Sequence, residues 1–343
     1  MNELQAWGWE EFFERQVKHF RGFDVARVCS EHKRYYKVWS IYGELTSKVI
    51  GKLLYDAVDR CDLPAVGDWV VIKARPREAS ATIHAVLKRR SSFLRFKDGE
   101  LQVVGANIDT VFLVFSLNVE PDLRKVERYI AAAYQSGVKP VVVLSKADLS
   151  ETPEEIKSKV LSVSTAPVHV VSVFKESGVD ELKRYFCEGK TIALLGPSGV
   201  GKSTLINYFL GEKRLAVAAA TADGQGKHTT TSKQLLLLPS GGLIIDTPGM
   251  RDLQLCDLQA GLDIAFQDIQ TLAQSCRFAD CNHEAEPDCA VKNAVSEGQL
   301  SLERLLNYKK LLQEVAEKRL SHKSLRSKKY LSSKSLPDLN ELC

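Results

Sequence analysis

The chain has 343 residues, 44% of them hydrophobic, which is ordinary for a soluble globular protein of two or three domains. No apolar run nears the roughly 20 residues of a bilayer-spanning helix, and the first 14 residues hold no basic leader before an apolar core, so a cytoplasmic protein without membrane attachment is expected. The net charge of +4 is too small to argue for a nucleic-acid partner without asking where the charge sits.

Residues 1–33 read as a short helix carrying Trp7, Trp9, Phe12 and Phe13, followed by a linker. Residues 34–100 have a β texture, with strand candidates at 36–41, 48–58 and 68–73 and punctuation at Gly43, Gly51, Pro64 and Gly67. Several short strands in so little chain predict a small β-barrel, of which the OB-fold is the commonest. Basic and aromatic residues mix here: Arg34, Tyr35, Lys37 and Trp39, then Lys88, Arg89, Arg90, Phe93, Arg95 and Phe96. That composition suits a barrel that contacts nucleic acid; an ordinary β-domain with a solvated basic face is the alternative.

Residues 101–255 change character. Apolar runs at 111–115, 141–144, 168–173 and 191–195 read as strands buried on both faces, with helices predicted from Pro121 to Gly137, over 153–161 and over 179–186. Strands alternating with helices predict a parallel, doubly wound α/β sheet. Two more strands are predicted at 235–238 and 243–245.

Within this region Gly196, Pro197, Ser198, Gly199, Val200, Gly201, Lys202 and Ser203 fit G-x-x-x-x-G-K-[ST] at every fixed position, between a short apolar strand and a predicted helix that takes in Thr204. Glycines let backbone N–H groups turn inward around a phosphate. The helix start adds partial positive charge. Lys202 is then placed for the β/γ-phosphates and Ser203 for Mg²⁺.

Two further segments select the nucleotide. Asp246-Thr247-Pro248-Gly249 follows a strand, with Asp246 a candidate Mg²⁺ carboxylate and the Gly249 N–H a γ-phosphate sensor. Ser145-Lys146-Ala147-Asp148 follows another strand and resembles the Asn-Lys-x-Asp element of GTPases, in which the aspartate accepts from guanine N1–H and the exocyclic amine. Ser145 replaces the usual asparagine, removing an amide that ties the base loop together. Ser172 and Val173 match the Ser-Ala element at the guanine oxygen weakly. The base-reading loop precedes the phosphate loop by about fifty residues, the reverse of the ordinary order, so the domain is circularly permuted. Met250 stands where many GTPases carry a water-orienting glutamine, which predicts slow basal turnover. The polar segment 223–231 offers Lys227, His228 and three threonines. Thr230 is taken as the Mg²⁺ ligand among them. His228, as a catalytic water-orienting residue or a solvated loop histidine, is left open.

Residues 256–343 contain Cys276, Cys281, His283 and Cys289, a Cys₃His set suited to one structural zinc ion in a polar segment with few apolar residues. Cys29, Cys61, Cys187, Cys256 and Cys343 have no partner at ligand spacing. Residues 299–315 read as an amphipathic helix with Leu302, Leu305, Leu306, Leu312 and Val315 in its apolar set, and 318–334 is basic without an acidic residue.

Together these motifs resemble the ribosome small-subunit-dependent GTPases of the RsgA/YjeQ family. The resemblance covers most of the chain: barrel, permuted order, the segment 226–231 and the Cys₃His cluster. It implies a multidomain protein with an N-terminal OB-fold, a central permuted P-loop GTPase domain and a C-terminal zinc-binding α-rich domain. It also implies a monomeric GTP hydrolase, using Mg²⁺ with GTP, that acts late in maturation of the small ribosomal subunit (30S), is stimulated by that particle and binds its rRNA. An RNA-binding scaffold with a regulatory nucleotide site, and an ATPase, are the competing readings.

Overall fold

A computed structural model describes residues 3–97, 100–211, 233–246 and 259–333, with backbone alone at 95–97, 100–101 and 318–333. The chain divides into two compact units, Met1–Leu255 and Cys256–Cys343.

The first unit begins with two short helices, α1 (Glu3–Ala6) and α2 (Glu11–Val17), and then β1 (Asp24–Glu31), β2 (Tyr36–Ser40) and β3 (Gly43–Val49). Helix α3 (Gly51–Asp56) leads to β4 (Trp69–Arg75) and β5 (Ser80–Val86). These five strands close on themselves in the order β1-β2-β3-β5-β4-β1, with only the β3–β5 pairing parallel. That is the five-stranded barrel expected, around Val28, Val38, Leu45, Val70, Ile72 and Ile83. Two details differ from the sequence reading. The segment read as helix and linker also carries β1, whose five consecutive buried residues hide the alternation that marks a half-exposed strand. The strand candidate at 48–58 ends at Val49 and turns into α3, which buries no side chain.

Outside β4, the aromatic N-terminus packs as a cap: Phe13, Trp69, Val71 and Leu87 are buried, with Trp7 and Trp9 against them. Several residues of the basic and aromatic set are internal ties. Arg89 grips buried Asp68 through Nε at 2.8 Å and Nη2 at 2.7 Å and donates to the Cys61 and Leu63 carbonyls. Arg90 pairs with Glu10 and Asp109, and Phe93 is buried. Lys33 and Arg34, in the β1–β2 turn, remain exposed.

A hairpin of β6 (Ser92–Lys97) and β7 (Glu100–Ala106) follows, then β8 (Thr110–Ser116), α4 (Leu123–Gln135), β9 (Lys139–Ser145), α5 (Pro153–Leu161), β10 (Val168–Val170), α6 (Val179–Lys183), β11 (Thr191–Leu195) and α7 (Lys202–Leu210). Strands β12 (Gln234–Leu237) and β13 (Leu243–Asp246) complete the order β10-β9-β8-β11-β13-β12. All of these pairings are parallel except β12 against β13. Apolar side chains from both faces form the core, among them Phe112, Val114, Val143, Ile192, Leu194, Leu205 and Ile244.

The second unit contains α8 (Gln259–Ala265), α9 (Gln267–Ala273), α10 (Ala290–Ser296) and α11 (Leu302–Ser333). Helix α11 is amphipathic as expected, but its buried stripe is Leu305, Tyr308, Leu311 and Val315. Leu302 and Leu306 are exposed, so the stripe lies partly off the set read from the sequence. Arg304 explains the offset. It is buried on the same side, pairing with Asp268 at 2.7 Å and lying 4.7 Å over the Phe266 ring.

Candidate functional site

Parallel strands direct the loops at their C-terminal ends to one edge of the sheet, where open α/β sheets bind ligands. β11 and β9 both neighbour β8, so the loops leaving them face each other across it. Gly196 through Ser203 leave β11 and enter α7. Gly196, Gly199 and Gly201 all have positive φ, at 149°, 77° and 95°. A Cβ on Gly196 would stand 2.2 Å from the Val114 carbonyl oxygen, so only glycine fits there. Pro197 and Ser198 are half-buried, Val200 is buried, and Ser203 and Thr204 lie in the first turn of the helix. Lys202 folds back over the loop, its Nζ donating to the carbonyls of Gly196 at 2.7 Å and Pro197 at 2.5 Å. The result is a ring of backbone around an ammonium at a helix N-terminus, an arrangement able to receive an anion.

The segment expected to read the base lies alongside. Ser145, the last residue of β9, is buried, and its hydroxyl is 2.6 Å from the Val200 carbonyl oxygen and 3.2 Å from that of Phe115. The serine that replaces asparagine thus still joins this loop to the phosphate loop, by a hydroxyl in place of an amide. Lys146 takes a left-handed conformation at φ 57°, and Asp148 sits in the one-turn helix Ala147–Leu149. Ser172 donates its hydroxyl to the Asp148 carboxylate and accepts from the Lys175 N–H at 3.1 Å, while the Ala147 N–H donates to the Val171 carbonyl. The segment with Ser172 and Val173 is therefore brought to Asp148. The sequence match alone did not reveal the serine–aspartate bond, although a hydroxyl one strand over was the available signal.

Asp246 ends β13. Burial pushes its carboxyl up to about 6, while the Lys202 charge pulls the other way. A half-buried carboxylate so poorly compensated, beside an anion-receiving loop, fits a divalent cation. His228, Thr230 and Gly249 lie outside the described residues, as do Met250 and 223–231.

In the second unit Cys276, Cys281, His283 and Cys289 offer ligand atoms all within 4.8 Å of one another. Cys276 Sγ lies 3.8 Å from Cys289 Sγ and 3.7 Å from His283 Nδ1, which is 3.3 Å from Cys289 Sγ. Tetrahedral bonds of about 2.3 Å to sulfur require sulfur–sulfur edges of about 3.8 Å. Burial and nearby Lys309 lower the His283 pKa, favouring the neutral imidazole that ligation needs. The four residues can hold one metal ion. Of the stretch from 270 to 289, Cys289 alone is buried, so no apolar core orders it.

The family model described as RsgA GTPase matches residues 86–256. A protein of Opitutus terrae named small ribosomal subunit biogenesis GTPase RsgA is 42% identical over 329 residues, covering 91% of this chain and 90% of its own. A Lactiplantibacillus plantarum protein named small ribosomal subunit biogenesis GTPase RsgA 2 is also 42% identical, over 89% of this chain and 87% of its own. Among solved structures, YjeQ from Thermotoga maritima superposes with a TM-score of 0.64 at 29% identity, over 86% of this chain and 99% of that one. YloQ, described as a circularly permuted GTPase, shares the fold with a TM-score of 0.62 at 23% identity, over 88% of this chain and 97% of its own.

Proposed function

The chain belongs to the RsgA family of GTPases, and on that premise we propose that it hydrolyses GTP to GDP and phosphate as a switch in late maturation of the small ribosomal subunit. In this reading the amides of residues 196–203 cradle the phosphates and Lys202 neutralises charge at the β/γ bridge. Lys146 lies along the purine and Asp148 accepts its two guanine-specific hydrogen bonds, with Ser172 holding the carboxylate and Val173 offering backbone to the guanine oxygen. Ser203, Thr230 and Asp246 hold Mg²⁺, which when bound offsets the charge on the β- and γ-oxygens. The Gly249 amide meets the γ-phosphate, and His228 orients the attacking water. Water adds to the γ-phosphorus, the bond to the β–γ bridging oxygen breaks, and the released proton passes to solvent or phosphate.

The observation that carries this reading is the Ser145 hydroxyl bonded to the Val200 carbonyl, since it makes one site of a phosphate loop and a base loop separated in sequence. Zinc is the metal proposed for the Cys₃His cluster, because three thiolates and an imidazole select a soft or borderline ion with tetrahedral preference. The exposed β1–β2 turn and the basic 318–334 segment are the proposed contacts to rRNA. The protein acts as a monomer in the cytoplasm, where small subunits mature.

The test is GTP turnover by the full-length chain with and without purified small subunits. Slow basal hydrolysis accelerated many-fold by the particle is expected, with ATP not competing. An unchanged rate across a salt series would remove the ribosomal assignment.

A further inference from the structure

Strand β12 stands between the barrel and the nucleotide site, and one residue spans it. Gln234 is register partner to Asp246 of β13 on one side and to Ser30 of β1 on the other. Among the described residues, β12 has four register pairs with β13 and one with the barrel. A four-residue strand held so lightly on one flank needs another anchor at that end. Lys233 supplies it. Its Nζ donates to Glu31 Oε2 at 3.0 Å, at the end of β1, and to the Val103 carbonyl of β7 at 3.2 Å. Both charged side chains are partly shielded, Lys233 at 20% and Glu31 at 34% exposure.

On the barrel side the anchor leads to the β1–β2 turn. Ser30 Oγ is 2.9 Å from His32 Nε2, and the His32 ring stacks on Tyr35 with centroids 4.4 Å apart. On the other side it leads to the half-buried Asp246 carboxylate, which an octahedral ion would tolerate only in a narrow range of positions.

We propose that Glu31 is a positioning residue for GTP hydrolysis: by holding Lys233 it fixes β12 and, through the Gln234 register, sets the Asp246 carboxylate beside the phosphate loop. The inference rests on the nucleotide assignment made above. It gives a barrel residue, far in sequence from every nucleotide motif, a part in metal–nucleotide binding. A half-shielded ion pair contributes little to global stability, so the effect belongs in Mg²⁺ affinity and not in the unfolding midpoint.

The experiment titrates Mg²⁺ into the full-length chain with a fluorescent, non-hydrolysable GTP analogue and reads half-saturation. Metal-free binding of a fluorescent GDP is the control. Glu31→Gln and Lys233→Met are each expected to raise the half-saturating Mg²⁺ by at least about fivefold, the low end of coupling between linked sites. The double variant Glu31→Gln with Lys233→Met is expected to raise it no further than the larger single effect, because the two effects are not additive when the residues act through each other. Metal-free GDP affinity stays at the wild-type value throughout. Half-saturation unmoved in both single variants overturns the proposal. So does a double variant whose effect is the sum of its parts, or a parallel loss of metal-free GDP binding, which marks collapse of the site. Wild-type protein that shows no Mg²⁺-dependent binding of the analogue fails the nucleotide assignment itself, before any variant is compared, and this inference falls with it.

Discussion

Asp246 carries a cost of burial that the Mg²⁺ proposed above would remove. An aspartate ionises near 4 in an unfolded chain, whereas burial holds this one at about 6. The folded state therefore binds the proton more tightly than the unfolded state. The destabilisation is absent below about pH 4, grows as pH rises through the interval to about 6, and is complete above it. Asp246→Asn is accordingly expected to stabilise the ligand-free protein at pH 7 by on the order of 3 kcal/mol, raising its unfolding midpoint, while abolishing the gain in GTP affinity on adding Mg²⁺. Calorimetry checks the first and nucleotide titration the second. In the wild type, Mg²⁺-dependent GTP binding should weaken as pH falls through about 6. Ser145 offers a different test. Ser145→Ala leaves the buried Val200 carbonyl without its hydroxyl donor, a loss of about 1–3 kcal/mol. GDP affinity should fall about tenfold, as read by fluorescence titration, while an unchanged affinity would mean that the hydroxyl does not join the two loops in the nucleotide-bound protein. The departure of Ser145 from the GTPase pattern was visible in the sequence; what its hydroxyl reaches, 55 residues away, was not.

At the level of elements, patterns that depend on neighbours along the chain were the readable ones. β8, β9 and β11 are continuous apolar runs because both faces are covered, and each lies where the runs placed it. The phosphate loop was legible for the same local reason, since its glycines take conformations that the motif itself demands. β1 was missed because it is paired on both edges and half wrapped by the N-terminal segment, so its burial follows no period of two. The stripe of α11 was misjudged because Arg304, a charge, is turned inward by Asp268 of α9 and by Phe266, which caps that helix. The Cys₃His loop lies at the opposite extreme, with spacing nearly sufficient to define it. Removing the metal by chelation, or substituting Cys281→Ser, is expected to expose 274–289 to protease while most far-UV helical signal persists. Inductively coupled plasma analysis should find about one zinc per chain beforehand. Retained protection without metal would show that packing alone orders the loop.

At the scale of the first unit, a single buried guanidinium on β1 ties four other segments together. Arg27 of β1 donates to the Trp7, Gly67 and Asn107 carbonyls, and through Nη2 at 2.7 Å to Thr191 Oγ1, at the head of the strand feeding the phosphate loop. Burial lowers its pKa to about 10, so the charge is retained at neutral pH at a desolvation cost that these acceptors offset. Arg27→Met withdraws a donor from all four acceptors, of which the Gly67 carbonyl keeps the Asn107 amide at 3.1 Å, and a loss of about 3–5 kcal/mol is expected. Differential scanning calorimetry should then show a lower midpoint, with barrel and α/β sheet unfolding in separate steps. A single transition at the wild-type temperature would show that the sheet continuity through β12 suffices.

The sequence by itself determined the family's chemistry: the phosphate-loop motif, the permuted order of its partner motifs, the Cys₃His set able to hold a metal, and the classes of the domains that carry them. Each of those follows from residue type and short spacing, because phosphate cradles, tetrahedral sites and buried strands are local demands on the chain. The tertiary structure alone decided which basic residues face inward, where Ser145 and Ser172 direct their hydroxyls, and how β1 reaches Asp246 through Gln234. Those are meetings of residues far apart along the chain, and closing such distances is a property of the packed whole, which no window of sequence contains.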